Sequence, residues 1–206
     1  MRVTAQQKDV HRTKLLRAAA TEFAAVGVDA ANVNRISLAA GLAKGTIYNY
    51  FASKRELFLA VVEEASTRAA AGAAATPEDL PTSERLRAIL ESDVEWVRAH
   101  EDFARVLIRE ALAGDPRFQP DIVAAAAPFV ERVAEILAGG VERGELRDDL
   151  AVDQLALLFS GLCELAVTLH WGAGGGWPAL EEIPVLVASL FLQGAAAAPE
   201  SRSTQA

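Results

Sequence analysis

The side chains best suited to chemistry in this chain crowd into one short stretch. Lys44, Thr46, Tyr48, Asn49 and Lys54 fall within eleven residues, close behind Gly41 and around Gly45. They form no nucleophile–base pair and no metal-ligand set. Their chemistry is hydrogen bonding and charge. An Asn amide can donate and accept against the N6/N7 edge of adenine. A Thr offers a hydroxyl for a phosphate or base and a methyl that can meet the thymine methyl. Lys and Tyr can reach phosphates. Gly45 lets a backbone approach closely.

Helical spacing has to put these groups on one surface. At about 100° per residue over a predicted helix at Ala43–Tyr50, Ile47 and Phe51 share an inward side. Gly45, Thr46 and Asn49 lie roughly opposite, Lys44 and Tyr48 share one flank, and Tyr50 lies on the other. Asn32 is a good N-cap for a short preceding helix with Val33, Ile36 and Ala40 inward, which Gly41 ends. Both helices are too short to stand alone. A helix predicted over Val10–Val26 carries Leu16, Ala19, Ala20 and Phe23 on one face, with Gly27 as its stop. A long helix opens at the capping box Ser53-Lys54-Arg55-Glu56, with Leu57, Val61 and Ala65 inward and Phe58 and Val62 beside them. Lys54 would add its charge to the N–H groups of that first turn, making an anion site. Each residue also has an ordinary reading. Tyr48 can cover the first helix, Tyr50 can pack, and a single Lys44 or Lys54 can be a solvated lysine. Their coincidence on one face favours a polyanion.

Charge is distributed accordingly. The net charge of −8 averages two unlike parts. Residues 1–60 carry nine Lys and Arg against four Asp and Glu, a net of +5, and the remainder carries eleven against twenty-four, a net of −13. A basic head on an acidic body suits DNA at the head alone.

Beyond the head the periodicity stays helical. Helices are predicted at 83–99, 102–113, 120–142 (where Pro128 should kink or split it), 153–171 and 180–193, about nine in all. The fold class is all-α, with a three-helix head at 8–53 and a helical body at 54–194. Residues 1–7 and 195–206 are expected to be disordered. The apolar stretch Leu155–Trp171 is interrupted by Ser160, Glu164, Thr168 and His170. A membrane span needs about 20 mostly apolar residues, so a buried helix of a soluble protein is expected. Met1–Lys8 has no apolar signal region, and a cytoplasmic location is expected. The last two helices are apolar nearly all round and need burial on every side. One side can meet the other helices and the other a second copy. That gives a homodimer interface of Leu158, Leu162, Leu165, Leu169, Val187, Leu190 and Phe191. An effector pocket is sketched by Trp96, His100, Phe103, Phe129, Cys163, Glu164 and Trp171, although core packing also explains each of them. Glu164, an acid in an apolar helix, needs a partner, either a cationic ligand group or an Arg across an interface.

Enzyme chemistry finds no support. Ser160 lies in Leu-Phe-Ser-Gly-Leu on a helix and not in a GxSxG elbow. Cys163 has no His at a recognisable spacing. Gly172–Gly176 is not GxGxxG and follows a helix. One Cys and three scattered His give no metal spacing. No catalytic residue, metal or cofactor is expected.

Residues 31–58, ANVNRISLAAGLAKGTIYNYFASKRELF, resemble the DNA-binding signature of TetR-family transcriptional regulators. The most specific part is Gly41–Phe51 followed by Ser53-Lys54. The resemblance implies DNA contacts from Lys44, Gly45, Thr46, Tyr48, Asn49 and Lys54, and a backbone approach by Val33 and Asn34; Tyr50 is added from its flank position. It departs from the family at Asn32, where Ser or Thr is usual but Asn can still cap. It departs also at Asn34-Arg35 and at Ser37, where Ala is usual. The resemblance further implies a repressor that binds a palindromic operator as a dimer and is released by a small, largely apolar effector. The rival is a helical ligand-binding or protein-interaction module without specific DNA binding, against which intact Lys44, Tyr48 and Lys54 argue.

Overall fold

The computed structural model describes residues 5–76 and 79–195. Among the described residues there are eight α-helices, two short 3₁₀ segments and no strand, so the all-α class holds. The helices are α1 Ala5–Ala30, α2 Val33–Ala39, α3 Lys54–Ala74, α4 Thr82–Ala99, α5 Glu101–Ala113, α6 Gln119–Glu142, α7 Val152–Gly172 and α8 Ile183–Ala195. The ends reach further than the sequence suggests. Residues 5–7 belong to α1 and Ala195 closes α8; residues 1–4 and 196–206 lie outside the described residues.

Two local expectations change. The predicted third helix is a 3₁₀ turn, Thr46–Asn49. Its β-branched and aromatic residues are indifferent helix formers, and one turn is too short to nucleate an α-helix. Pro128 does not split α6, which runs through it. The carbonyl left without a partner belongs to Ala124, and both residues are exposed, so water can serve it.

The Asn32 and Ser53 caps act as read, whereas Gly27 breaks α1 instead of ending it. Gly27 takes φ 78°, ψ 165° and interrupts α1, leaving 28–30 as a displaced last turn. The Asn32 side chain caps α2, accepting from the Asn34 and Arg35 N–H groups at 2.9 and 3.3 Å. Ser53 caps α3 by accepting from Glu56 N–H at 3.1 Å. The Glu56 carboxylate reaches back to Ala52 N–H at 2.6 Å, one residue beyond the usual capping-box partner.

The chain packs as two units. One comprises Met1–Ala69 and Glu95–Ala126, the other Ala70–Val94 and Ala127–Ala206. In the first, α1 packs against α5 and α2. Its core holds Leu15, Ala19, Phe23, Ile36, Ile47, Phe51, Leu57, Phe58, Val61, Val106 and Phe118. Phe58 is the hub, edge-on to Phe23 at 5.6 Å and against Phe118 at 4.7 Å. In the second, α7 packs on α8, with Phe159 meeting Phe191 edge-on at 5.1 Å. Among the described residues α7 is the helix long and apolar enough to cross a membrane, and 33 % of that window is buried.

Phe58→Ala should destabilise the fold by about 3–5 kcal/mol, since it empties the centre of an aromatic core. Tyr48→Ala should change stability by no more than about 0.5 kcal/mol, because that ring makes no core contribution. Urea denaturation of both variants at one protein concentration checks the contrast.

Candidate nucleic-acid interface

The 3₁₀ turn presents its side chains as two opposed sets. Ile47 and Phe51 are 1 % and 3 % exposed and anchor it to the core. The Arg12 guanidinium lies over the Phe51 ring at 5.6 Å. Lys44, Tyr48 and Asn49 are exposed, and Gly45 and Thr46 are half-buried beside them. Tyr48 is 56 % exposed, so its ring does not serve as a cover for α1. Gly45 caps the turn at φ 79°, a left-handed conformation that favours glycine. Tyr50 is half-buried, and its hydroxyl meets His11 Nδ1 at 3.0 Å. Its hydroxyl thus has a partner within the head.

The loop between α1 and α2 is the second part of this surface. Asn34 is exposed and Val33 half-buried at the start of α2. Glu22 accepts from Asn32 N–H at 3.2 Å and pairs with Arg35 at 3.3 Å. Lys54 Nζ donates to the carbonyls of Asp29 at 2.7 Å and Ala31 at 3.3 Å. The ammonium therefore uses two donors to hold this loop against the start of α3, a role its sequence position did not reveal. Asp29 is in turn gripped by Arg117, from the turn between α5 and α6. Asp29 lies 88 residues from Arg117, a separation that no local spacing rule spans.

The residues sketched as an effector pocket divide between the two packing units. Trp96, His100 and Phe103 belong to the first. Trp96 and His100 stack at 6.3 Å, Phe103 is core, and Trp96 Nε1 is buried without a hydrogen-bond partner. Phe129, Cys163, Glu164 and Trp171 belong to the second. There Cys163 is buried and its thiol lies 3.9 Å from an Asp93 carboxylate oxygen. Burial raises the Asp93 carboxyl to about 7, with the Glu164 charge adding to it and the Cys163 contact opposing. Burial also raises Glu164 to about 7, and it drives the Cys163 thiol well above its ordinary range. A thiol held protonated is a poor nucleophile.

The residues expected at a dimer interface also divide. Leu158, Leu165, Leu169 and Leu190 are exposed, and Leu162 is half-buried. Val187 and Phe191 are 3 % and 6 % exposed and are turned into the chain's own core, which removes them from that face. Leu157 and Val185, missed in the sequence, are exposed at 61 % and 60 %. A helix apolar on every side does not reveal which side meets its own chain.

A helix–turn–helix head with a polar outer face on an otherwise helical chain defines a class of DNA-binding regulators. Comparison with known proteins narrows the class. Residues 15–61 match the family model described as bacterial regulatory proteins, tetR family. Residues 83–171 match the model described as tetracyclin repressor-like, C-terminal domain. The chain is 30 % identical over 151 residues to the HTH-type transcriptional repressor Rv1474c of Mycobacterium tuberculosis, covering 70 % of this chain and 73 % of that one. It is 29 % identical over 164 residues to the HTH-type transcriptional repressor NicS of Pseudomonas putida, covering 78 % and 77 %. In fold it is similar to the transcriptional regulator FadR of Bacillus subtilis, solved in complex with stearoyl-CoA. That similarity has a TM-score of 0.79 at 20 % identity, covering 88 % and 98 %. The chain belongs to the TetR family of bacterial transcriptional regulators, and its relatives are regulators, not enzymes.

Asp93 and Glu164 bind a proton more tightly in the folded chain than in the unfolded one. The folded state therefore holds more protons between the ordinary carboxylate range, near 4, and about 7. Their contribution to stability is present at the acid end of that window and is lost as pH rises through it. Asp93→Asn should shrink the difference in urea midpoint between pH 5 and pH 7 relative to the unaltered chain. Equal differences in both would contradict this assignment.

Proposed function

We propose that this chain is a repressor that binds a palindromic operator as a homodimer and leaves it when a small, largely apolar effector binds. The observation that carries the DNA reading is the split of the 3₁₀ turn into buried anchors and exposed Lys44, Tyr48 and Asn49. Asn49 and Thr46 read base edges in the major groove, and Gly45 lets the backbone come close. Lys44, Tyr48, Asn34 and the remaining donor of Lys54 take phosphates, with Val33 against the backbone. Tyr50 contributes from the flank, braced by His11. DNA binding is assigned to residues 8–53, and effector binding and dimerisation to residues 54–194.

The dimer is supported by exposed leucines at helical spacing. Leu158, Leu162, Leu165 and Leu169 form one stripe on α7, and Leu190 on α8 extends the apolar surface. A second copy of the same face is the economical cover. Two heads about 34–36 Å apart then fit successive major grooves. The effector acts by preferring a dimer that does not fit the operator, shifting the equilibrium by its differential affinity. Trp96, His100, Phe103, Phe129, Cys163, Glu164 and Trp171 are its candidate contacts. A DNA-binding role places the protein in the cytoplasm.

The test is binding of the purified protein to DNA flanking its own coding region, over a salt series. Binding that weakens with salt and is lost in Tyr48→Ala and Asn49→Ala supports the reading. Weak binding that both variants leave unchanged would reject it and favour a ligand-binding module. Leu165→Glu should shift the sedimentation profile from dimer to monomer at micromolar concentration. A dimer that persists would place the interface elsewhere.

A further inference from the structure

The turn between α5 and α6, residues 114–118, reaches the last turn of α1 and the start of α3 at once. Arg117 lays both terminal nitrogens on the Asp29 carboxylate, at 3.0 and 2.9 Å. Its Nε holds Asp115 at 3.0 Å, and Nη2 is shared with the same acid at 2.7 Å. The doubly paired guanidinium holds the Asp29 and Asp115 carboxyls below their usual range. Arg55, beside Lys54, donates to the Arg117 carbonyl at 2.8 Å and pairs with Asp121 at 2.6 Å. The Arg55 and Arg117 side chains both stack on Phe118, at 5.0 and 5.1 Å, and Phe118 is itself core.

Asp29 is bonded in two directions. Its carboxylate faces Arg117, and its carbonyl accepts from Lys54 at 2.7 Å. The same loop leads through the Asn32 cap directly into Asn34. We infer that Arg117 is a positioning residue for DNA binding: by gripping Asp29 it fixes the loop that orients Lys54 and from which Asn34 emerges. Neither Arg117 nor Asp29 need touch DNA. The inference rests on the assignment of Lys54 and Asn34 as phosphate contacts.

Charge and position make opposite forecasts here. If these residues acted only through their fields, Arg117→Ala would weaken DNA binding and Asp29→Ala would strengthen it. If they act as a brace, both weaken it, and the double variant is no worse than either single one. The probe is a duplex enriched by the unaltered protein from a random-sequence pool, with affinity read by fluorescence anisotropy over a salt series. The brace predicts a loss of about tenfold in each variant, and a salt slope shallower by about 0.9, the share of one phosphate. Lys54→Ala should match that loss, and Arg117→Ala added to it should cost little more. Arg117 and Asp29 are exposed, and thermal melting of each variant separates positioning from misfolding. Tighter binding by Asp29→Ala, or an Arg117→Ala variant that binds normally while Lys54→Ala is impaired, would overturn the brace alone. Normal binding by Lys54→Ala would overturn the contact assignment and the brace with it.

Discussion

A single turn of 3₁₀ helix cannot hold its own shape in water, and this chain places on one the side chains proposed to read bases, Thr46 and Asn49. Thr46–Asn49 has too few internal hydrogen bonds to offset the backbone entropy of ordering it. Its geometry is set by burial of Ile47 and Phe51 in a core built from α1, α2, α3, α5 and Phe118. Exposure of Lys44, Tyr48 and Asn49 follows from that burial. The outer face is specified by what the inner face must hide.

The same dependence reaches beyond the helix–turn–helix. The first packing unit does not end where the head ends; it takes in α5 and the start of α6. Arg109 ties α5 to α1 by donating to the Phe23 and Ala24 carbonyls at 2.9 and 3.3 Å, beside the Gly27 break. Arg117 and Arg55 secure the far end. Arg117 serves the Asp29 carboxylate in the last turn of α1, Arg109 the carbonyls ahead of Gly27, and Arg55 the Arg117 carbonyl and Asp121. The surface proposed to meet DNA is therefore tied to residues about 60 to 90 positions away in sequence.

The sequence was most legible where one residue type has one local use. Asn32 and Ser53 as caps and the inward set Ile36, Ile47, Phe51, Leu57 and Val61 all follow from short-range rules. It was less legible where the deciding partner is remote or the pattern is uniform. Nothing at Lys54 announces the carbonyls of Asp29 and Ala31. Nothing at Arg117 announces Asp29, because Asp115 is the nearer acid. In α7 and α8 nearly every position is apolar, so periodicity cannot separate Val187 and Phe191, which face their own chain, from Leu158 and Leu190, which do not. The 3₁₀ turn reads as an α-helix because the two share a hydrophobic period over so few residues. An aromatic residue that lines a chamber and one that fills a core likewise have the same sequence signature.

A head that works as proposed reads a DNA sequence as a symmetric pair. Selection of duplexes from a random pool by the full-length protein tests it most directly. A symmetric pair enriches an inverted repeat whose half-sites lie about one helical turn, 10–10.5 base pairs, apart. Recovery of an unenriched pool, or of a single half-site without symmetry, would contradict it.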